Sequence, residues 1–332
     1  YRCCCAQTTH VLVCVCKTAC SRTNMHTFRI ACVFAALVGA CGKRLIPRVL
    51  APVRPPPNAQ LAPYVGRCEL PLRVASAARQ QPRVGRQQYV GRAAIAGWPR
   101  NFVQGNGIEE TLRNVRWPSE WPYEQEDFMR QDEMDDRQFY NSARLCTHVD
   151  DNFLAALTNH YAHVFAQYPG ARILDICSSW ISHYPDEKTW SHVSITGMNE
   201  LELKTNKQAD DWTVRDLNSN PVLPYETESF DIVTCTVSFD YLNKPLEVMK
   251  EVARVLKPGG MVILSTSNRC FPTKAVNIWL STGDMEHCLI YGSYMHYADA
   301  FEPPEAKDLS SPLSKAGFAD PVYVIQAAKK TA

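Results

Sequence analysis

From position 150 onward, apolar side chains fall into two repeating spacings. Within 150–167, Phe153, Leu154, Leu157, Tyr161, Val164 and Phe165 share one helical face, Asp150 or Asp151 can cap its start, and Pro169-Gly170 ends it. Short apolar runs follow at 172–177, 192–196, 212–214, 230–237 and 261–265, and each is read as a strand, the third being the weakest. Leu246, Met249, Val252, Ala253 and Leu256 keep to one side of a helix over 245–256. Lys257-Pro258-Gly259-Gly260 stops that helix, because proline cannot continue it and glycine accepts positive φ. Strands and helices in alternation predict an α/β domain with a mostly parallel sheet and helices on both faces. After Gly317-Phe318 only one strand pattern is left, at 322–327, so the sixth strand of a seven-stranded sheet is expected to be missing or very short.

Towards the N terminus the patterning fades. Residues 101–138 read as an acidic connector with Trp117-Pro118, Trp121-Pro122 and the acids Asp132, Glu133, Asp135 and Asp136, expected to be a solvated face whose aromatics lie on the surface of the next domain. Residues 1–100 hold no hydrophobic period that would build a core. Charge sharpens the division. The first 100 of the 332 residues carry 15 Lys and Arg and one acid, Glu69, whereas 101–332 carry 20 and 33, so a net +1 conceals +14 against −13.

A basic, acid-poor head of this kind reads as an address. The first 24 residues are low in complexity and the natural start is expected at Met25. Arg29, the apolar stretch 30–38 and the small residues Gly39 and Ala40 then resemble a secretory signal peptide, and an Arg- and Pro-rich tract follows over 43–100. The combination resembles the two-part address of proteins imported into complex plastids, with a mitochondrial or simple plastid presequence, or plain secretion, as the alternatives. The apolar run 30–42 is too short to span a bilayer, so stable membrane insertion is not expected. Nine of the fourteen cysteines lie in the head, without the paired spacing of a zinc site, and the body holds no ligand-spaced cluster, so no metal is expected. An acidic body without a basic stripe also argues against a nucleic-acid partner.

Two segments carry a family resemblance. Phe230-Asp231-Ile232-Val233 precedes residues 251–264, which read EVARVLKPGGMVIL, and both follow a strand that ends in an acid and a loop. Together they resemble the class I S-adenosylmethionine-dependent methyltransferases, in particular the type 11 branch, over about 139–330, in a divergent plant or algal form. The resemblance implies a Rossmann-like fold, S-adenosyl-L-methionine as methyl donor and a small-molecule acceptor. A nicotinamide-binding Rossmann domain fits less well, since no G-x-G-x-x-G follows the first strand.

The resemblance also assigns roles. Asp175 ends the first strand, but the glycine positions of the following loop hold Cys177, Ser179 and Ile181, each adding a Cβ where the backbone turns or a ligand lies close. Such a loop is expected either to be reshaped, with the Ser178 and Ser179 hydroxyls binding the donor's amino-acid group, or to have lost the ligand. Asn199 stands where an acid clasps the ribose hydroxyls, with Glu200 as the spare, and a carboxamide pairs with a hydroxyl more weakly than a carboxylate does. Asp216, with the Leu217 backbone N–H, matches the adenine contact, against the plainer reading of a turn cap. Asp240 is the candidate proton acceptor beside the transferred methyl, against the alternative of an N-cap for the next helix. Trp279, His287, Tyr291, Tyr294, His296 and Tyr297 form an aromatic and histidine set that is either core or a lid over the acceptor, with His287 as a candidate base and His183 equally open. Two functions follow from this pattern: methyl transfer to a small molecule, or a non-catalytic binding or assembly protein that keeps the fold.

Overall fold

The structure, a computed structural model, describes residues 107–331 and the two-residue strands Gln7–Thr8 and Val11–Leu12. The chain divides into a unit over 1–62, in which those two strands pair antiparallel, and a unit over 63–332. The expected start at Met25 and the expected address segments lie outside the described residues.

In the larger unit, seven strands share one sheet: β1 (Arg172–Asp175), β2 (His192–Gly197), β3 (Asp211–Val214), β4 (Phe230–Thr236), β5 (Leu256–Thr266), β6 (Glu305–Asp308) and β7 (Tyr323–Ala328). Their order is β3-β2-β1-β4-β5-β7-β6, with the first five parallel and β7 antiparallel to both neighbours. The chain runs outward from β1 to β3, then crosses back to β4. A crevice therefore opens between the carboxyl ends of β1 and β4, where a doubly wound sheet receives its ligand.

Alternation along each strand splits the core in two. Ile173, Val193, Ile195, Ile232 and Ile263 face one side, under helix α3 (Asp151–Phe165), which buries Phe153, Leu157, Tyr161 and Phe165 against them. Leu174, Val233, Cys235, Val262 and Leu264 face the other, under α5 (Pro245–Val255) and α7 (Asp284–Tyr297). Asp150 caps α3 by accepting the Phe153 N–H at 2.9 Å, and Pro245 opens α5, where its fixed φ suits the first turn.

One expectation is narrowed and two change. β6 is short rather than missing: it is four residues long, buries Ala306 alone and precedes Gly317 rather than following it, so no alternation announces it. The crossover from β1 to β2 contains no helix; Tyr184 and Trp190 from that loop instead pack edge-on against Tyr161 and Phe165, with ring centroids 5.1–5.6 Å apart. The acidic connector is a solvated face only in part: Glu133 and Asp135 are exposed, whereas Asp136 is buried. It folds against the body through the short helices α1 (Ile108–Thr111) and α2 (Asp136–Phe139), a bridge between Arg130 and Val276, and the packing of Trp121 on Tyr294 and Tyr297. Beneath it lies Lys274, 0% exposed, which is paired with Asp132 at 3.2 Å and Asp136 at 3.0 Å. Among the described residues no helix is long and apolar enough to cross a membrane.

Candidate active site

A cavity of ≈160 Å³ occupies the crevice. Its floor comes from the carboxyl ends of the central strands: Asp175 ending β1, Gly197 ending β2 with Asn199 beyond it, Asp216 and Leu217 after β3, and Thr236 ending β4 with Val237 and Ser238 beyond it. Its roof is a strap, residues 136–149, that no pattern in the sequence marks. Tyr140, Arg144 and His148 of the strap line the cavity, as do Arg269 and Phe271 after β5.

The glycine-less loop keeps the backbone that the glycines would allow. Cys177 has φ +53°, the left-handed conformation that glycine adopts without steric penalty. The turn is held by the Ser178 N–H donating to Thr196 O at 2.6 Å and the Ser178 hydroxyl donating to Asp175 Oδ2 at 2.6 Å. Gly197 makes this possible from below, since a Cβ there would stand 2.1 Å from the Ser178 carbonyl oxygen. The Ser179 hydroxyl donates to Glu202 Oε2 at 2.8 Å, so both serines turn onto protein carboxylates. Trp180 lines the cavity, its indole N–H reaching Cys146 O of the strap at 3.1 Å.

Burial pushes the Asp175 carboxyl up to about 6, against hydrogen bonds from Ser178, Ser182 and Thr234 that pull it down. The folded protein therefore holds this proton more tightly than the unfolded chain. The associated stabilisation is complete below about pH 4 and lost as pH rises through about 6. Asp175→Asn should accordingly gain stability relative to the native chain between pH 4 and pH 7, on the order of 2–3 kcal/mol, with urea midpoints at both pH values as the measurement.

Asn199 reaches the cavity, but its side chain is engaged on the protein. Its Oδ1 accepts the Glu202 N–H at 3.1 Å, capping α4 (Glu200–Thr205), and its Nδ2 donates to Tyr140 O at 2.8 Å and Asn141 O at 3.2 Å. A carboxylate would keep the cap and face two carbonyl oxygens. Asn199→Asp should therefore leave α4 intact and release the strap, which hydrogen exchange would register as at least 10-fold faster exchange at 140–144 with Leu203 unchanged. The Asn at this position serves the roof. Glu202, 8% exposed, completes that corner by accepting the Arg144 N–H at 2.6 Å.

Asp216 lines the cavity and also caps its own turn, accepting from the Asn218 and Ser219 N–H groups at 3.0 and 3.1 Å, so both of its expected roles are compatible with its place. Leu217 is buried beside it. The candidate bases divide differently. Asp240, 4% exposed, does not line the cavity, and it does not cap α5, whose N-cap is Lys244. Burial pushes its carboxyl well up, and its Oδ2 has no hydrogen-bond partner. His287 is 2% exposed and stacked on Trp279 at 3.6 Å, and its Nε2–H donates to Trp279 O at 2.9 Å. It does not reach the cavity. Nor do Trp279, Tyr291 and Tyr294, which belong to the core with Tyr123, or the exposed His296 and half-buried Tyr297, which pack on Trp117 and Trp121. Helix α7 is buried continuously from His287 to Met295, which explains why its aromatics resemble a pocket set in the sequence.

Two histidines do stand on the cavity wall. His183 has φ +60°, and burial followed by the nearby His148 brings its imidazole down to about 4. His148 lies edge-on to Phe271 at 5.3 Å, and burial and Arg144 lower it as well. Both are neutral at physiological pH and have a lone pair available for a proton. His148, Arg144 and Tyr140 escaped the sequence reading because the strap has neither period nor motif.

The residues fit an adenosyl sulfonium donor. Asp175, Glu202 and Asp216 offer carboxylates for amine and hydroxyl groups, and His148 Nδ1 and Arg215 Nε are buried on the wall without a hydrogen-bond partner.

Comparison with known proteins finds partial matches. Residues 192–264, from the start of β2 into β5, match a family described as a methyltransferase domain. The chain is 31% identical over 110 residues to a malonyl-[acyl-carrier protein] O-methyltransferase of Marinomonas sp. (strain MWYL1), covering 32% of this chain and 41% of that protein. It is 35% identical over 114 residues to a demethylmenaquinone methyltransferase of Staphylococcus epidermidis, covering 31% and 46%. The chain thus spans less than half the length of these curated relatives. A solved structure from Thermotoga maritima, titled a SAM-dependent methyltransferase and possible histamine N-methyltransferase, shares 18% identity at a TM-score of 0.40, covering 54% of this chain and 91% of that one. From β2 to β5 the chain is similar to a methyltransferase domain, and the sheet that holds this segment has the Rossmann-like α/β fold of the class I methyltransferases.

Proposed function

We propose that the cavity takes S-adenosyl-L-methionine and that the chain transfers its methyl group to a small-molecule acceptor. The observation carrying this reading is a cavity at the carboxyl ends of β1 to β4, mostly apolar but with carboxylates at its strand ends, in a sheet whose central segment is similar to a methyltransferase domain. When bound, such a donor supplies an electrophilic methyl group on a sulfonium. Asp216 and Leu217 would hold the adenine edge, Glu202 the ribose hydroxyls in place of the engaged Asn199, and Asp175 with Ser178 the amino-acid end. The strap lines the cavity on one side, and alignment of the two reactants there can account for much of the rate, on the order of 7–11 kcal/mol. Where the acceptor is a hydroxyl or an amine, His148 or His183 can take the proton at an imidazole nitrogen, a role that Asp240 and His287 do not have the position to fill.

The alternative, a domain that keeps the fold for binding without turnover, is favoured by one feature, the β1–β2 crossover that lacks a helix behind Cys177. Calorimetry of the full chain with S-adenosyl-L-methionine separates the two. We expect one site of micromolar affinity, weakened at least 10-fold in Asp216→Ala; no heat of binding at millimolar donor would favour the alternative. On composition, the basic head supports import into a plastid of a plant or algal type of cell, with mitochondrion or secretory pathway as alternatives, and mass spectrometry of the mature N terminus from cells tests it.

A further inference from the structure

Among the described residues the free cysteines are Cys177, Cys235, Cys270 and Cys288. Cys177 alone of the four is not buried, and it lines the cavity. It carries φ +53°, a conformation that favours glycine, so the chain holds a thiol where backbone strain argues against any side chain.

The strained turn brings Cys177 to a second thiol. β1 and β4 are parallel neighbours with Asp175 beside Thr234, and just past the end of β1 the Ile176 N–H donates to Thr234 O at 2.9 Å. Leu174, Ile176, Val233 and Cys235 belong to the core on one face of the sheet. Continued alternation would send residue 177 to the opposite face. The left-handed turn instead packs Cys177 against the cluster that holds Cys235. Cys235 is 0% exposed; burial pushes its thiol well up, and the adjacent Cys177 thiol acts in the same direction. One sulfur thus faces the cavity and the other stands behind it. Neither has a part in the methyl transfer proposed above.

We propose that Cys177 and Cys235 form a dithiol modification site, closed to a disulfide by hydrogen peroxide, and that the disulfide shuts the donor cavity. Peroxide entering the cavity meets Cys177 first. Its O–O bond breaks, one oxygen passes to the Cys177 sulfur as a sulfenic acid, and the other leaves as water. The Cys235 sulfur then displaces the sulfenic oxygen, which departs with the Cys235 proton as a second water, and an S–S bond remains. The thiols lose two electrons and the peroxide gains them. A buried thiol is inert towards solutes, so Cys235 reacts only through its neighbour. The new bond draws Cys177 towards β4, and Ser178 and Ser179 move with it, away from the Thr196, Asp175 and Glu202 contacts that shape the floor. The shutting of the cavity rests on the donor reading; the cross-link does not.

The test treats the reduced full chain with hydrogen peroxide, alkylates the remaining thiols and digests without reductant for mass spectrometry. The expected product is a peptide pair joined through Cys177 and Cys235, lighter by two hydrogens and released by dithiothreitol. In Cys235→Ala the oxidation stops at the sulfenic acid, so dimedone labels Cys177 at least 10-fold more than in the native chain. Saturating S-adenosylhomocysteine slows cross-linking at least 10-fold, and the oxidised chain binds it at least 10-fold more weakly until reduced. Recovery of both cysteines as free thiols, oxidation of Cys177 to a sulfinic acid with Cys235 unchanged, or Cys235 joined to another cysteine overturns the inference. So does a cross-linked chain that binds S-adenosylhomocysteine as the reduced chain does. A reduced chain that binds no S-adenosylhomocysteine refutes the donor reading, and with it the shutting, while the cross-link still decides the thiol pair.

Discussion

Replacing Gly197 with alanine is expected to weaken adenosyl-donor binding at least 100-fold. The new Cβ would stand 2.1 Å from the Ser178 carbonyl oxygen and 3.0 Å from Leu203 Cδ2, and the first of these is backbone that cannot swing aside. The loop over Cys177 to Ser179 would have to lift by more than an ångström. That movement breaks the Ser178 N–H bond to Thr196 O and moves Ser179 away from Glu202, so the floor and one corner of the cavity go together. Overpacking of this kind costs about 1–3 kcal/mol of stability, which a domain of this size tolerates. The loss is therefore local. Calorimetry with S-adenosylhomocysteine, beside a urea titration of the same protein, should show affinity falling far more than stability.

Lys274→Met should produce the largest change in stability. The Lys274 side chain is wholly buried, its Nζ donates to Asp132 O at 3.2 Å and Met134 O at 2.9 Å, and it faces the carboxylates of Asp132 and Asp136. Burial raises the Asp136 carboxyl, but hydrogen bonds from Arg130, Asn218 and Lys274 outweigh this and hold it below the ordinary range. Removing one cation from such a network leaves a buried charge partly uncompensated, at a cost of about 3–5 kcal/mol. The effect should be concentrated in the connector and strap, because Asp136 also holds Asn218 of the loop after β3 at 2.8 Å. Chemical denaturation gives the magnitude. Limited proteolysis should show new cleavage within 129–141 in the variant and none in the native chain.

The parts of this fold that repeat a period could be read from the chain. α3 and α5 appear where Phe153, Leu157, Tyr161 and Leu246, Met249, Val252 recur at helical spacing, and β1, β2 and β4 where Ile173-Leu174, Val193 with Ile195, and Ile232-Val233 mark short β-branched and apolar stretches. β6 was hidden because an edge strand reading EAKD buries only Ala306 and shows no alternation. The site was legible on its floor, where motif positions at strand ends place Asp175, Cys177, Asn199 and Asp216 on one cavity. Its roof was not. Tyr140, Arg144 and His148 come from an irregular stretch whose position depends on Asn199, Glu202 and Lys274 more than 50 residues away. Asp240 and His287 illustrate the opposite error. Residue type marks both as proton carriers, yet contact with the cavity is set by tertiary packing, which buries one away from it and stacks the other on Trp279.

The most direct test is a crystal structure of the full chain soaked with S-adenosylhomocysteine. The adenine is expected beside Asp216 and Leu217, the ribose near Glu202 and the sulfur over the turn at Cys177, with the strap closed above them. Clear density with the crevice empty at saturating ligand, or with the Trp180 indole occupying it, would contradict the assignment of this cavity to a methyl donor.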